Sequence, residues 1–166
     1  KTDLLSMIRG MGVPEDRLLV LNPFDARVWA WHMAADIRDP MQADDVANVL
    51  IPSSKGDTNP YFPETARRFL AGIIEVFIES AGENWTLRDL ILAVKTPERL
   101  KLILSSSSET EDLQQHFQPP QTFANVNATL SGHLRKYRSI AAVWHHAGKR
   151  RFTIRDWLKS QQVMVL

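Results

Sequence analysis

One run of residues constrains this chain more than any other. Phe62, Ala66, Phe69, Leu70, Ile73, Ile74, Phe77 and Ile78 recur three and four residues apart, and Gly82 follows as a stop. A stripe of that width demands a long helix whose apolar face is covered by other elements. The surrounding sequence supplies mostly helices for the purpose. Pro40 after Asp39 is a helix start, because proline in the first turn loses no needed hydrogen bond. Met41 to Leu50 then carries Val46, Val49 and Leu50 on one face, and Pro52 ends it. Thr96-Pro97 opens a shorter helix reaching about Leu104. Pro119-Pro120 precedes a long helix with the stripe Phe123, Val126, Leu130, Leu134, Tyr137, Ile140, Ala141 and Trp144. At its end, Gly148 and the cations around it suit a helix C-terminus and its negative dipole end.

Two helix starts share one device. Trp85-Thr86-Leu87-Arg88-Asp89-Leu90 and Phe152-Thr153-Ile154-Arg155-Asp156-Trp157 both read aromatic-Thr-apolar-Arg-Asp-apolar. The threonine can accept from the backbone N–H three residues on, while the aspartate there reaches back to the cap. The aromatic before each cap is placed to pack on the last apolar residue, as a hydrophobic staple. The remaining segments are shorter. Asp3–Met11 reads as a helix with Thr2 or Asp3 as its cap, and Leu18–Leu21 as a buried strand ended by Asn22-Pro23. Residues 28–37 read as an irregular or short helical stretch, and 53–60 as a loop. Ser105–Ser108 is a serine loop leading into acidic residues, and Val163–Leu166 is strand-like. The expected fold class is mainly α, about six or seven helices with short strands at both ends.

Composition removes several classes of function. The chain has 166 residues, 44% of them hydrophobic and 23% charged, which suits one globular domain rather than a disordered segment. It has no cysteine, so disulfide scaffolds, thiolate zinc sites and cysteine nucleophiles are excluded. None of the five histidines has a partner at metal-ligand spacing on one helix face, and His145 and His146 are adjacent. No phosphate loop and no Gly-x-Ser-x-Gly elbow occurs. No window approaches the ~18 consecutive apolar residues of a membrane span. Asn84-Trp85-Thr86 and Asn127-Ala128-Thr129 match the glycosylation sequon, but both sit on or beside expected helices. A start without Met and an apolar finish at Leu166 suggest a piece of a larger protein.

Charge carries the one feature with functional pull. The net charge is +1, yet residues 1–129 hold 12 basic and 18 acidic side chains. Residues 130–166 hold eight basic side chains and one acidic, Asp156. Arg135, Lys136 and Arg138 lie off the apolar stripe of the long helix. Together with Lys149, Arg150 and Arg151 they could neutralise several phosphates of a nucleic acid. A solvated helix face needing no ligand would carry the same residues. No aromatic-interleaved stacking platform is evident in the sequence, so it gives no ground for base-specific reading. The acidic body could instead meet a basic partner.

Asn22-Pro23-Phe24-Asp25-Ala26-Arg27 after the Leu18–Leu21 strand resembles the type IV secretion or conjugation coupling proteins of the TraD kind. Ala34-Ala35-Asp36-Ile37, Ala47–Pro52, Ala66-Arg67-Arg68-Phe69-Leu70, Trp85–Leu90 and Phe152–Leu158 resemble the family in the same order. The resemblance covers nearly the whole chain. It implies a RecA-like ATPase, hexameric and held at the cytoplasmic face of the bacterial inner membrane, which feeds DNA or protein substrates into a secretion channel. In such proteins an all-helical domain interrupts the ATPase sheet. By that likeness, residues 1–27 are a helix and strand of the ATPase core, 28–151 the all-α domain, and 152–166 the returning helix and strand. Walker A and Walker B would lie outside this stretch, so the family's catalytic residues have no counterparts here. The segment alone is then expected to be no enzyme and to need no cofactor, ATP and Mg²⁺ belonging to the parent. Its implied partners are DNA, a relaxase, secreted effector proteins or channel components, with no direct membrane contact. The alternative is a free-standing helical DNA-binding module using the basic C-terminal third. A small enzyme is disfavoured, since no nucleophile–base or metal spacing is present. If the end strands belong to one sheet, they should pair with each other or leave an edge open.

Overall fold

The computed structural model describes residues 2–53 and 59–165. Most of the expected 53–60 loop, the terminal Leu166 and the side chains of Thr2 and Asp3 lie outside what it describes. Nine α-helices and four short strands are formed among the described residues, so the fold is mainly α. The chain divides into two compact units, Met33–Arg138 and a second built from Lys1–His32 with Ser139–Leu166.

The continuous unit is organised on the dominant stripe. Helix α4, Tyr61–Ala81, buries Phe69, Leu70, Ile73 and Ile74 completely and ends at Gly82, whose φ of 55° suits a residue without a Cβ. It is buried on more than one face, because α3 (Pro40–Leu50), α5 (Leu87–Ala93), α6 (Pro97–Leu104) and α7 (Pro120–Arg135) all pack on it. Leu90, Leu100, Leu104, Leu130 and Leu134 fill the space between, each at 0% exposure. A short α2, Met33–Asp36, precedes α3 and buries Met33, Ala34 and Ala35. Three starts are capped as the sequence dictates. Asp39 accepts from the Gln42 backbone N–H before Pro40, and Thr96 accepts from the Arg99 N–H before Pro97. Thr86 and Asp89 close a full capping box, with the Thr86 N–H donating to Asp89 Oδ2 at 2.9 Å. The staple residues Trp85 and Leu90 are both buried.

Two expectations for this region need correction, and one segment is new. On α3 the buried face is Ala43, Ala47 and Leu50, while Val49 is 73% exposed. Small side chains let α3 approach α4 closely, and packing chose them over the larger valines. The serine loop covers residues 105–107, and the acidic stretch after it, for which the sequence carried no structural expectation, is helical. Ser108–Phe117 winds as a 3₁₀ helix that buries Thr110, Leu113 and Phe117. Thr110 is held by donating its hydroxyl to the Leu104 carbonyl at 2.6 Å. The long helix expected from residue 120 to 144 is two helices, α7 and then α8, Arg138–His146. At the join the Lys136 N–H turns to His133 and the Tyr137 N–H to Leu134, which tightens the last turn and breaks the run.

In the discontinuous unit, α1 (Thr2–Gly10) and a 3₁₀ turn lead into β1, Leu18–Val20. β1 pairs in parallel with the last strand, β4 (Val163–Val165), Leu18 opposite Val163 and Val20 opposite Val165. The end strands therefore do pair. Leu18, Val20 and Val165 form a small core, with Ile8, Val13 and Val163 packed against it. Two strands missing from the sequence reading, β2 (Ala30–Trp31) and β3 (Arg151–Phe152), also pair in parallel. The Trp29 N–H donates to the Val20 carbonyl at 2.7 Å and ties the segment before β2 to β1. Helix α9, Ile154–Lys159, starts on Thr153, which accepts from the Asp156 N–H at 3.0 Å.

Candidate nucleic-acid interface

The six cations singled out by charge fall into two trios, one in each unit. Arg135 ends α7, Lys136 caps it and Arg138 follows, all exposed, while Leu134 beside them is fully buried. The buried leucine fixes the direction of the turn, so its basic neighbours face solvent. Lys149, Arg150 and Arg151 form the second trio, also exposed. They follow Gly148, whose φ of 62° turns the chain out of α8. The Arg150 N–H donates to the Ala147 carbonyl, and the Arg150 carbonyl accepts from Ala30 at 2.9 Å. The backbone of this trio is thus held by the β2–β3 pairing. None of the six makes an ion pair among the described residues, whereas Arg9, Arg27, Arg38 and Arg68 each do. The discontinuous unit has nine basic and five acidic residues, the continuous one eleven and fourteen, so formal charge separates by unit as +4 and −3.

The Asn22–Arg27 stretch forms a rigid corner in the basic unit. Asn22 Oδ1 accepts from the Phe24 N–H, and Asp25 accepts from the backbone and side chain of Arg27. The second Asp25 oxygen meets Arg27 Nη2 at 2.6 Å. The Arg27 hydrogen bonds, helped by its charge and more weakly by Arg150, hold the Asp25 carboxyl down to about 2. The same pairing raises the Arg27 guanidinium above its usual range. Phe24 at the tip is 89% exposed.

Beside this corner the structure brings together aromatics that the sequence keeps far apart. Arg150 and Arg27 line a shallow cleft of about 180 Å³ together with Trp29. Arg151 lines a second, of about 340 Å³, together with Trp29, Phe152 and Trp157. Trp157 is fixed by donating its Nε1–H to the Gln162 carbonyl at 3.0 Å. Trp29, Arg27 and Trp157 are the residues that sequence reasoning missed at this site. The Asn22–Arg27 stretch pointed to the region, but nothing local signals that residue 29 meets residues 151 and 157.

Among the described residues no group of three or more His, Asp or Glu side chains could hold a metal ion, and no helix is long and apolar enough to cross a membrane. Asn127, one of the two sequon asparagines, is only 6% exposed.

Comparison with known proteins gives a consistent result. Over 141 residues the chain is 26% identical to the coupling protein TraD of Escherichia coli strain K12, covering 84% of this chain and 19% of that protein. The plasmid coupling protein TrwB in complex with ADP and Mg²⁺ has a similar fold, with a TM-score of 0.66 at 18% identity. That match covers 90% of this chain and 35% of the TrwB chain. An unbound monoclinic form of TrwB lacking its N-terminal region gives the same TM-score at 19% identity, over 88% of this chain and 33% of the other. The chain thus spans about a fifth of its curated relative and about a third of the solved structures. The model of the type IV secretion-system coupling protein DNA-binding domain matches residues 13–165. That match runs through both paired end strands and every helix after the first, and the chain belongs to this family.

Proposed function

We propose that this chain is the substrate-engaging domain of a conjugative coupling ATPase and that it contacts DNA through phosphate neutralisation. The observation that carries the reading is the set of exposed cations that make no ion pair among the described residues, Arg135, Lys136, Arg138, Lys149, Arg150 and Arg151, in a chain of this family. Such cations release counterions when they meet phosphates, which gives weak, sequence-independent and steeply salt-dependent binding. The parent would supply nucleotide and Mg²⁺ chemistry from motifs outside this stretch, assemble as a hexamer and stand at the inner membrane. Relaxase, effector proteins and channel components are its proposed protein partners. The segment alone is proposed to hydrolyse no ATP, since this sequence contains no Gly-Lys-Ser/Thr phosphate loop.

Titration of labelled single- and double-stranded DNA at low and moderate salt tests the reading. Changing Arg135, Lys136 and Arg138 together to Glu should weaken binding to every sequence and flatten its salt dependence. Binding unaffected by that reversal removes these residues from the interface. A parent reading frame without a phosphate loop before this segment would favour a free-standing DNA-binding module instead.

A further inference from the structure

We infer that the two clefts meeting at Trp29 form a base-stacking site for single-stranded nucleic acid. The inference rests on the DNA-binding reading above and assigns it a strand type and a place. Trp29 lines both clefts, with Arg27 and Arg150 in one and Arg151 in the other. Arg150 lines one cleft and Arg151, the first residue of β3, lines the other, so each cleft carries a guanidinium together with the indole. That alternation of aromatic surface and guanidinium is what a single strand requires, with bases on rings and phosphates on cations.

The larger cleft is built to take a base rather than a phosphate. Phe152 and Trp157 join Trp29 in its wall, and Trp157 is held in place by its bond to Gln162. Asp156 also lines it, bonded to the Thr153 hydroxyl at 2.7 Å. A carboxylate there repels a phosphate but can accept from the exocyclic amine of a base. The phosphates are then left to Arg150 and Arg151 at the rims, both exposed. In the smaller cleft Glu15 is the acidic group, and its charge is engaged by Arg9 at 2.5 Å. Paired bases in a duplex are stacked on their neighbours and cannot enter either cleft. Single strands should therefore be preferred.

The test uses the 166-residue chain and three fluorescent probes of equal length: a mixed-base single strand, an abasic strand and a duplex. The unaltered protein should bind the base-bearing strand roughly 5- to 150-fold more tightly than the abasic one, the range expected for one stacked base. Trp29→Leu should abolish most of that preference while leaving the salt dependence unchanged, and Trp29→Phe should restore part of it. Arg151→Glu should instead weaken binding to base-bearing and abasic strands alike and reduce the salt slope by about one. Equal binding of base-bearing and abasic strands by the unaltered protein overturns the stacking site, whatever the variants do, and leaves salt-dependent DNA binding standing. Absence of salt-dependent binding to any probe overturns both readings, as does binding of an acidic peptide in preference to all of them.

Discussion

Gly72 sits mid-way along α4, where a side chain would ordinarily be welcome. Alanine is about 1 kcal/mol better than glycine in a helix interior, so Gly72→Ala on an isolated helix would stabilise. In the folded protein a Cβ at this position would lie 2.6 Å from Leu113 Cδ1 and 3.1 Å from both Leu104 Cδ2 and Thr110 Cγ2. The first of these is roughly 1 Å inside the optimal carbon–carbon separation of about 3.5–4.0 Å. Leu113 cannot swing away freely, since it is 5% exposed and belongs to the 3₁₀ segment that packs on α4. Overpacking of this kind costs about 1–3 kcal/mol, which outweighs the helix term. Gly72→Ala is therefore expected to destabilise the protein by about 1 kcal/mol net, read as a lower midpoint in urea with an unchanged slope. Leu113→Ala alone should cost about 2–4 kcal/mol. In that background the closest clash is gone, and Gly72→Ala should become neutral or stabilising. The cycle should then show about 1–2 kcal/mol of coupling. A stabilising Gly72→Ala that adds simply to Leu113→Ala would refute the close approach as the reason for glycine.

Three further outcomes follow from the geometry. Thr86→Ala should cost about 1 kcal/mol by chemical denaturation, because it opens a capping box whose flanking Trp85 and Leu90 are buried; a cost below the error of the measurement would count against the box. Glu75 is raised above the usual carboxylate range by burial first, then by Asp44, Asp112 and Glu109. Its folded form holds a proton more readily than its unfolded form, so stability falls as pH rises through the folded value. Glu75→Gln should stabilise by a few tenths to about 1 kcal/mol at pH 7, and that gain should vanish below the unfolded value of 4.5. The same gain at pH 4 and pH 7 would show that charge is not the cause. Asp25, held down to about 2, has the opposite sign. Its contribution is present above the unfolded value of 3.8 and is lost as pH falls towards about 2. Since Arg27 is 44% exposed, Asp25→Asn should cost no more than about 1 kcal/mol at neutral pH. Thermal melts at pH 2 and pH 7 compare the two forms, and an equal deficit at both values would point to lost turn geometry instead.

Local chemistry was legible in the sequence, and distant pairing was not. Asp39-Pro40, Thr86 with Asp89 and Thr96-Pro97 mark helix starts because each cap is satisfied within three residues of itself. The α4 stripe was legible for the same reason, as its period repeats along one helix. The break after Arg135 has no glycine or proline to announce it, and apolar residues at 134, 137, 140 and 141 continue the pattern through it. The 3₁₀ segment was hidden by its serines and acids, although Thr110, Leu113 and Phe117 keep one side of it buried. Strands β2 and β3 are two residues each, too short for any alternation to register. Half of the candidate site depended on those strands. Arg150 and Arg151 stood out by charge, but Trp29 acquires its meaning only when the β2–β3 pairing brings it to them.

The parallel β1–β4 pair also dictates an order of assembly. Met33–Arg138 is continuous, and its helices can close on one another as soon as Leu134 has been synthesised. The other unit is completed later, when Val163–Val165 emerge and supply the strand that pairs with β1. On the ribosome Leu18, Leu19 and Val20 are therefore made well before the β4 strand they pair with, with the whole continuous unit synthesised in between. Prior folding of the continuous unit turns most of the intervening chain from a flexible loop into a compact body, which lowers the entropy cost of bringing the last strand home.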